Sequence, residues 1–204
     1  MTVRDRLLGT RVGYSAFRRL IRADRSMQTL VAQYFHVMPG ERLLDVGCGT
    51  GDLTRFVPGS AYVGVDHNSA YLVGRDVVHT SSANPTFINA DLNELSSVNI
   101  GKFDIAVAVG VLHHLNDEVA TNLVRAVRDK LVGGGRFVTI DPAFHPDQRA
   151  NERILMALDR GRYVRHPPDY QRLIASGFDS MVTTIRHDLN PFPYTHCIIE
   201  AVVP

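Results

Sequence analysis

From residue 40 onward, short apolar runs that often end in Asp or Gly alternate with stretches of helical periodicity. This alternation predicts successive strand–helix–strand units, which give an α/β fold with a mostly parallel sheet. The predicted strands cover 41–46, 61–66, 85–90, 103–109, 135–140, 179–187 and 194–203. The predicted helices cover 13–37, 51–57, 69–79, 117–131, 147–160 and 168–176.

The connections between these elements define the organisation of the chain. The last two predicted strands are separated by about five residues, 189–193, too few for a helical crossover, so they should form an antiparallel hairpin. Three consecutive glycines, 133–135, are predicted to end the preceding helix and turn the chain into the next strand. The pattern predicts an N-terminal helical extension or lid, 1–40, followed by one domain, 41–204.

Composition narrows the function classes. The chain has 204 residues, 45% hydrophobic and 21% charged, as in ordinary globular domains. Its formal net charge of +1 argues against a protein held to nucleic acid by phosphate neutralisation. Apolar runs are too short for a membrane span, and the N-terminus lacks the apolar core of a signal peptide. We therefore expect a cytoplasmic location, with no nucleic-acid partner and a monomeric or homodimeric state.

The two cysteines and the basic N-terminus are less informative. Cys48 and Cys197 are not in a CxxC pair or at metal spacing from a histidine, so no disulfide framework and no metal site are predicted. Residues 1–40 hold seven arginines against two aspartates. These arginines could form a solvated helical face or a basic lid over an anionic ligand or acidic partner, and the sequence does not choose between them.

A glycine-rich loop follows the first predicted strand, with Gly47, Gly49 and Gly51 at alternate positions before a helix start. Glycines allow the backbone to approach a ligand closely, and the helix start adds unpaired N–H donors. Asp52 stands where the dinucleotide fingerprint requires its third glycine, and no Walker lysine follows. Asp52 and Asp45 would repel a diphosphate, so the loop suits a ligand with an ammonium group and no phosphate.

Two further carboxylates end the next predicted strands. Asp66 ends the second strand, where a carboxylate can accept hydrogen bonds from ribose hydroxyls, and Asp91 follows the third, placed to accept from a purine amine. A nucleoside joined to an amino acid without phosphate describes S-adenosylmethionine.

Five segments, in order and spacing over about residues 41–141, then resemble the motifs of class I S-adenosylmethionine-dependent methyltransferases. They are LDVGCGTGDL, VGVD, INADL, FDIAVAVGVLHHL and LVGGGRFVTID. The resemblance implies a Rossmann-like, seven-stranded, mostly parallel sheet in the order 3-2-1-4-5-7-6. Its last strand would be antiparallel, and helices would cover both faces. It also implies an enzyme of EC 2.1.1 that converts S-adenosylmethionine to S-adenosylhomocysteine (SAH).

The cofactor residues are inferred partly from the resemblance. In the family, a helix before the first strand presents an aromatic residue, for which Tyr14 is the candidate and Phe17 the second. The predicted cofactor-binding set is Tyr14, Asp45, Gly47, Gly49, Gly51, Asp66, His67, Asp91, Leu92, Gly110 and Val111.

Methyl transfer depends mainly on holding donor and acceptor in line, and a general base is needed only for a protonated acceptor. The predicted catalytic residues are His113, Asp141 and His145, each of which could instead only line the pocket. The predicted substrate-binding residues are His114, Arg162, Tyr163 and Arg165, the last three within a proposed substrate cap, 141–177. The arginines could clamp an anion, or cover a helix end and pair with Asp159 or Asp169.

The preferred hypothesis is methyl transfer to an oxygen or nitrogen of a small-molecule acceptor, with an anionic biosynthetic intermediate as one candidate. Gly110 and the residues after it stand where base-amino methyltransferases carry an Asp/Asn-Pro-Pro-Tyr/Phe block, which argues against a flipped base as acceptor. The alternatives are a sugar or glycan methyltransferase, a non-catalytic S-adenosylmethionine-binding partner protein, and an NAD-dependent oxidoreductase.

Overall fold

The computed structural model describes residues 23–57, 59–72, 85–157 and 162–204. Within them, seven strands form one sheet in the order β3-β2-β1-β4-β5-β7-β6. The strands are β1 Arg42–Val46, β2 Ala61–Asp66, β3 Thr86–Asn89, β4 Phe103–Val109, β5 Leu131–Pro142, β6 Ser180–Arg186 and β7 His196–Val202. Strand β7 is antiparallel to both of its neighbours, and the remaining pairs are parallel. The predicted α/β fold and strand order are confirmed.

Helices and short helical turns connect the strands. The α-helices are α1 Ala23–Leu30, α2 Ser69–Leu72, α3 Asp117–Lys130, α4 Ala150–Ala157 and α5 Pro167–Ile174. A π-helical turn, Val31–Phe35, continues α1, and 3₁₀ turns span Asp52–Arg55, Leu92–Ser97 and Leu112–His114. Asn116 caps α3, because its side-chain oxygen accepts a hydrogen bond of 2.9 Å from the N–H of Val119.

Two apolar cores lie on opposite faces of the sheet. One contains Leu44, Val46 and Ala106 of the sheet with the apolar faces of α3 and α5. The other contains Leu43 and Ile105 with residues of α1 and its π-helical turn. The central strands are buried on both faces, which explains why their sequences are continuous apolar runs rather than alternating ones.

Two local predictions were wrong. The predicted helix 51–57 is the 3₁₀ turn Asp52–Arg55. The three glycines lie within β5 rather than in a turn before it, because β5 begins at Leu131. Leu131 pairs with Phe103 and Arg136 pairs with Ile105, so the extra residues of β5 form a bulge. Gly134, with φ of 75°, supplies the left-handed conformation within it.

Some predictions fall beyond the described ranges. Tyr14 and Phe17 lie outside the described residues, as do most of the arginines of the extension, the end of the predicted helix 69–79 and part of the proposed cap. Among the helices that are described, none is long and apolar enough to cross a membrane.

Candidate active site

A cleft opens at the carboxyl ends of β2, β1 and β4, where the strand order changes direction and folds of this type bind ligands. Its cavity has a volume of about 600 Å³. Eight predicted cofactor residues line it: Gly47, Gly49, Asp66, His67, Asp91, Leu92, Gly110 and Val111. His114, predicted to contact substrate, also lines this cleft.

The loop after β1 can be formed only with glycine at its first position. Gly47 has a φ of 70°, in the region that side-chain-bearing residues rarely adopt. A Cβ atom placed on it would lie 2.7 Å from Cγ2 of Val111 across the cleft. The N–H groups of Gly47 and Cys48 donate to the carbonyl of Val65, which ties the loop to β2. The chain thus presents bare backbone to the cleft, as close approach of a ligand requires.

Asp66 is the central carboxylate of the cleft and is only 6% exposed. One of its oxygens accepts a hydrogen bond of 2.8 Å from the N–H of Gly49. The other accepts one of 2.8 Å from the N–H of Asn68. Each carboxylate oxygen has a second acceptor site, so Asp66 can hold the glycine loop and still accept hydrogen bonds from a ligand's hydroxyls.

Asp45 lies behind the loop rather than among the residues that line the cleft. It is buried, and its carboxylate accepts a hydrogen bond of 2.6 Å from the hydroxyl of Tyr62 on β2. A Cβ on Gly64 would lie 2.9 Å from that hydroxyl, so the glycine makes room for the tyrosine. Gly51, with φ of 59°, begins the following 3₁₀ turn and also stands back from the cleft.

Asp91 lines the far side of the cleft and begins the 3₁₀ turn Leu92–Ser97. Its carboxylate accepts a hydrogen bond of 2.9 Å from the N–H of Asn93. This contact fixes the carboxylate at the mouth of the cleft while leaving it exposed.

His113 and Asp141 form a buried pair at the carboxyl ends of β4 and β5. Nδ1 of His113 lies 2.8 Å from Oδ1 of Asp141, and the backbone N–H of His113 donates to the same oxygen at 3.1 Å. Because an ionised carboxylate can only accept, Nδ1 carries the proton in this contact. A Cβ on Gly110 would lie 3.5 Å from Cε1 of His113, so the imidazole packs against a residue of the cleft wall.

Arg165 is buried, with 8% of its surface exposed, and does not line the cleft. Its guanidinium donates to the carbonyls of Leu112, Leu115 and Tyr163 and twice to the carboxylate of Asp117. These five hydrogen bonds use all five of its N–H groups, leaving none for a substrate anion. Of the two roles considered from the sequence, covering the end of a helical turn fits this geometry, but the carboxylate partner is Asp117 and not Asp169, which pairs with Arg172. Asp159 lies outside the described residues.

Arg162 and Tyr163 lie beside the cleft. They line a second cavity, of about 400 Å³, which shares His114 and Leu115 with the first. The N–H of Tyr163 donates to the carbonyl of His113 at 3.0 Å. This part of the proposed cap is therefore attached directly to the residue that pairs with Asp141.

His145 occupies the loop after β5, where Nδ1 lies 3.6 Å from the carboxylate of Asp147. Its ring centroid is 6.2 Å from that of His187, so it belongs to a group of residues near the β6–β7 connection.

The structure adds residues that the sequence reasoning missed. Asn68, Tyr71 and Leu115 line the cleft, and Tyr62 holds Asp45. Asn68 and Tyr71 follow Asp66 closely, which was a usable signal, whereas the role of Tyr62 depends on strand pairing. Among the described residues, no group of three or more His, Cys, Asp or Glu side chains could hold a metal ion.

Comparisons with known proteins agree with this geometry. A methyltransferase domain family model matches residues 44–137. The ubiquinone biosynthesis O-methyltransferase of Aromatoleum aromaticum is 30% identical over 145 residues, covering 67% of this chain and 59% of that protein. The highly reducing polyketide synthase 2 of Gibberella zeae is 28% identical over 158 residues, covering 67% of this chain and 6% of that protein. The chain thus spans less than two thirds of either curated relative.

Among solved structures, the magnesium protoporphyrin IX methyltransferase of Synechocystis with bound SAH matches with a TM-score of 0.68. The two are 21% identical, and the match covers 99% of this chain and 98% of that one. The methyltransferase domain match, the strand order and the glycine loop after β1 lead to one assignment. The chain carries a methyltransferase domain, and its fold is consistent with the class I S-adenosylmethionine-dependent methyltransferases.

Proposed function

We propose that this protein transfers a methyl group to a protonated oxygen or nitrogen of a small-molecule acceptor, with His113 as general base. The buried contact of 2.8 Å between His113 and Asp141, which packs behind Gly110 of the cleft wall, supports this proposal most directly. An imidazole oriented by a carboxylate is a common arrangement for removing a proton from a hydroxyl or amine.

S-adenosylmethionine is the cofactor of this family, and when bound it supplies the methyl group on a sulfonium. The cleft fits such a group. Gly47 leaves space that a side chain would fill, and Asp66 can accept hydrogen bonds from ribose hydroxyls. Asp91 would accept from the adenine amine, and the more remote Asp45 would act on the methionine ammonium through water.

The residues of the chain would contribute in two ways: they would hold the acceptor in line with the methyl group, and they would remove one proton from it. Because Nδ1 of His113 contacts Asp141, a proton from the acceptor would be received at Nε2. The buried carboxylate, 1% exposed, would stabilise the imidazolium that results. Residues 162 and 163 would cover the acceptor from beside the cleft. The remainder of the predicted cap and lid is not all available for this role, because α5 and α1 pack into the two apolar cores.

The proposal is tested first by calorimetric binding of SAH. We expect binding at micromolar concentration and none by NADH. Asp66→Asn should weaken SAH binding at least tenfold (about 1.4 kcal/mol), because the amide cannot accept at both oxygen positions. Asp179→Asn, on an exposed side chain, is the matched control and should bind like the wild type.

The second test is transfer of label from methyl-labelled S-adenosylmethionine to a panel of phenols and amines. Labelled product from one acceptor class would identify the chemistry. Binding of SAH without transfer to any acceptor would favour the alternative of a non-catalytic partner protein. Failure of SAH to bind below the millimolar range would refute the proposed function itself.

A further inference from the structure

A separate cavity of about 600 Å³ lies at the same edge of the sheet, on the β7 side of the His113–Asp141 pair. Its walls come from the loop after β5, from α4 and from the β6–β7 connection. The residues that matter here are Asp147, Arg149, Glu152, His187 and Phe192. None of these residues is part of the predicted cofactor or catalytic sets.

Glu152 provides the carboxylate of this cavity and is only 6% exposed. Its Oε2 accepts from the hydroxyl of Thr195 and from the N–H of Arg149, both at 3.3 Å. The same oxygen lies 3.5 Å from Nδ1 of His187. Among the described residues, every contact to this carboxylate falls on Oε2, so Oε1 is available to a ligand in the cavity. This oxygen is not among the fully buried atoms that lack a partner, so it is accessible from the cavity and can accept a hydrogen bond from a ligand's donor.

The cavity and the His113–Asp141 pair are connected through a short extended segment, residues 141–143. The N–H of Ala143 donates to the carbonyl of Thr195 at 3.1 Å, and the hydroxyl of Thr195 contacts Glu152. Ala143 follows Asp141 by two residues, which in extended chain span about 7 Å. The strand order puts the cofactor cleft on the β1 side of the pair and this cavity on the β7 side. The linings of the two cavities have no residue in common, so an acceptor methylated beside His113 would have to pass over this segment to bring its far end to Glu152.

The charges and the apolar wall indicate what that far end would be. Glu152 is the buried charge, whereas Asp147 and Arg149 are exposed and of opposite sign. Phe192, half-buried and packed against Tyr194 at a ring distance of 5.7 Å, gives an apolar surface beside them. Negative charge in a partly apolar cavity favours a protonated amine on a hydrophobic skeleton and disfavours a carboxylate.

We propose that the acceptor carries a protonated amine at the end opposite the methylated atom, and that Glu152 binds this amine. This inference rests on the proposed function, because it assigns the far end of that same acceptor. It also replaces the anionic acceptor suggested by the cap arginines with a cationic one.

The test uses phenethylamine as the probe and 3-phenylpropionate as its anionic counterpart. Binding of each to SAH-saturated protein is measured by saturation-transfer NMR titration. Phenethylamine should bind at least tenfold more tightly than 3-phenylpropionate. Glu152→Gln should weaken phenethylamine binding about tenfold without changing SAH affinity, because the amide removes the charge but keeps one acceptor oxygen. Glu118→Gln, on the exposed side of α3, should leave both affinities unchanged.

Three results would overturn the inference: equal binding of the two probes, full amine affinity in Glu152→Gln, or binding of phenethylamine to SAH-free protein that is lost when SAH is saturating. The last would mean that the amine occupies the cofactor cleft. If Glu152→Gln does not fold, Phe192→Ala on the surface loop decides. At least a threefold loss of amine affinity supports the site, and no loss refutes it. Normal SAH binding in these variants shows that the cofactor site is intact, so that a failure of the amine site is distinguished from a failure of the proposed function, which the SAH-binding and methyl-transfer tests decide.

Discussion

One oxygen of Asp141 orients His113 twice, through the backbone N–H and through Nδ1 of the ring. The other oxygen of this carboxylate is buried and has no hydrogen-bond partner among the described residues. Such a geometry holds the ring in one tautomer and one direction, at the cost of an unsatisfied acceptor atom. A buried carboxylate oxygen without a hydrogen-bond partner destabilises the fold. We infer that Asp141 is retained here because it positions the candidate base His113.

We therefore predict that His113→Ala lowers kcat about 10²- to 10⁴-fold for an acceptor that must lose a proton, with SAH affinity unchanged. Asp141→Asn should lower kcat less, about tenfold or more, and should alter the pH dependence of kcat. The measurement is labelled-methyl transfer across the pH range with the best acceptor from the panel. Equal kcat in wild type and His113→Ala would show that the acceptor needs no base and that His113 only lines the pocket.

At the scale of elements, Arg165 joins three parts of the molecule: the cap, the 3₁₀ turn Leu112–His114 and the start of α3. The carbonyls of Leu112 and Leu115 accept from its guanidinium at 2.8 and 2.7 Å. Asp117, at the first turn of α3, accepts from two of its nitrogens. Through these contacts the arginine fixes the turn that carries His113.

Arg165→Ala should destabilise the protein by about 3 kcal/mol, because it removes five hydrogen bonds, including the guanidinium donors to the carbonyls of Leu115 and Tyr163. Arg165→Lys should recover part of this loss, since a lysine has three donors on a single nitrogen, whereas the planar guanidinium has five. Arg172→Ala removes an exposed ion pair with Asp169 and should cost less than about 1 kcal/mol. Urea unfolding measures all three. If Arg165→Ala instead raised the acceptor KM without loss of stability, the anion clamp would be correct after all.

At the scale of the whole molecule, two ionisable groups are buried between the sheet and α5. Cys197 on β7 pairs with Asp141 on β5, and burial together with that carboxylate raises the pKa of its thiol to about 12. Tyr170 of α5 donates to the carbonyl of Pro142 at 2.8 Å, and its pKa is also raised, chiefly by burial. Both groups stay protonated in the folded protein at pH values where the unfolded chain loses the protons.

Stability should therefore fall as the pH rises above about 8.5, the ordinary pKa of a cysteine in the unfolded chain. The loss from Cys197 continues towards about pH 12, its folded value, and Tyr170 adds to it above about pH 10. By about pH 10, Cys197 accounts for about 2 kcal/mol. Cys197→Ser should remove this part when urea midpoints at about pH 8 and pH 10 are compared. An equal alkaline loss in the wild type and Cys197→Ser would contradict the assignment.

The sequence by itself determined the seven strands and brought most of the predicted cofactor residues to one cleft, whereas the strand order came from the family resemblance. It could do so because strands buried on both faces are continuous apolar runs, and because Gly47, Asp66 and Asp91 follow those runs at once. Local pattern placed each of these residues at the carboxyl end of its strand, and parallel pairing then brings those ends together.

Only the tertiary structure decided what the remaining side chains contact. Arg165 could be assigned to the turn before α3 only from the fold, since Asp117 lies 48 residues away in the chain. The pairing of Tyr62 with Asp45 and of Glu152 with Thr195 likewise joins distant segments. Such contacts depend on the packing of several elements at once, and a one-dimensional pattern of polar and apolar residues does not contain that information.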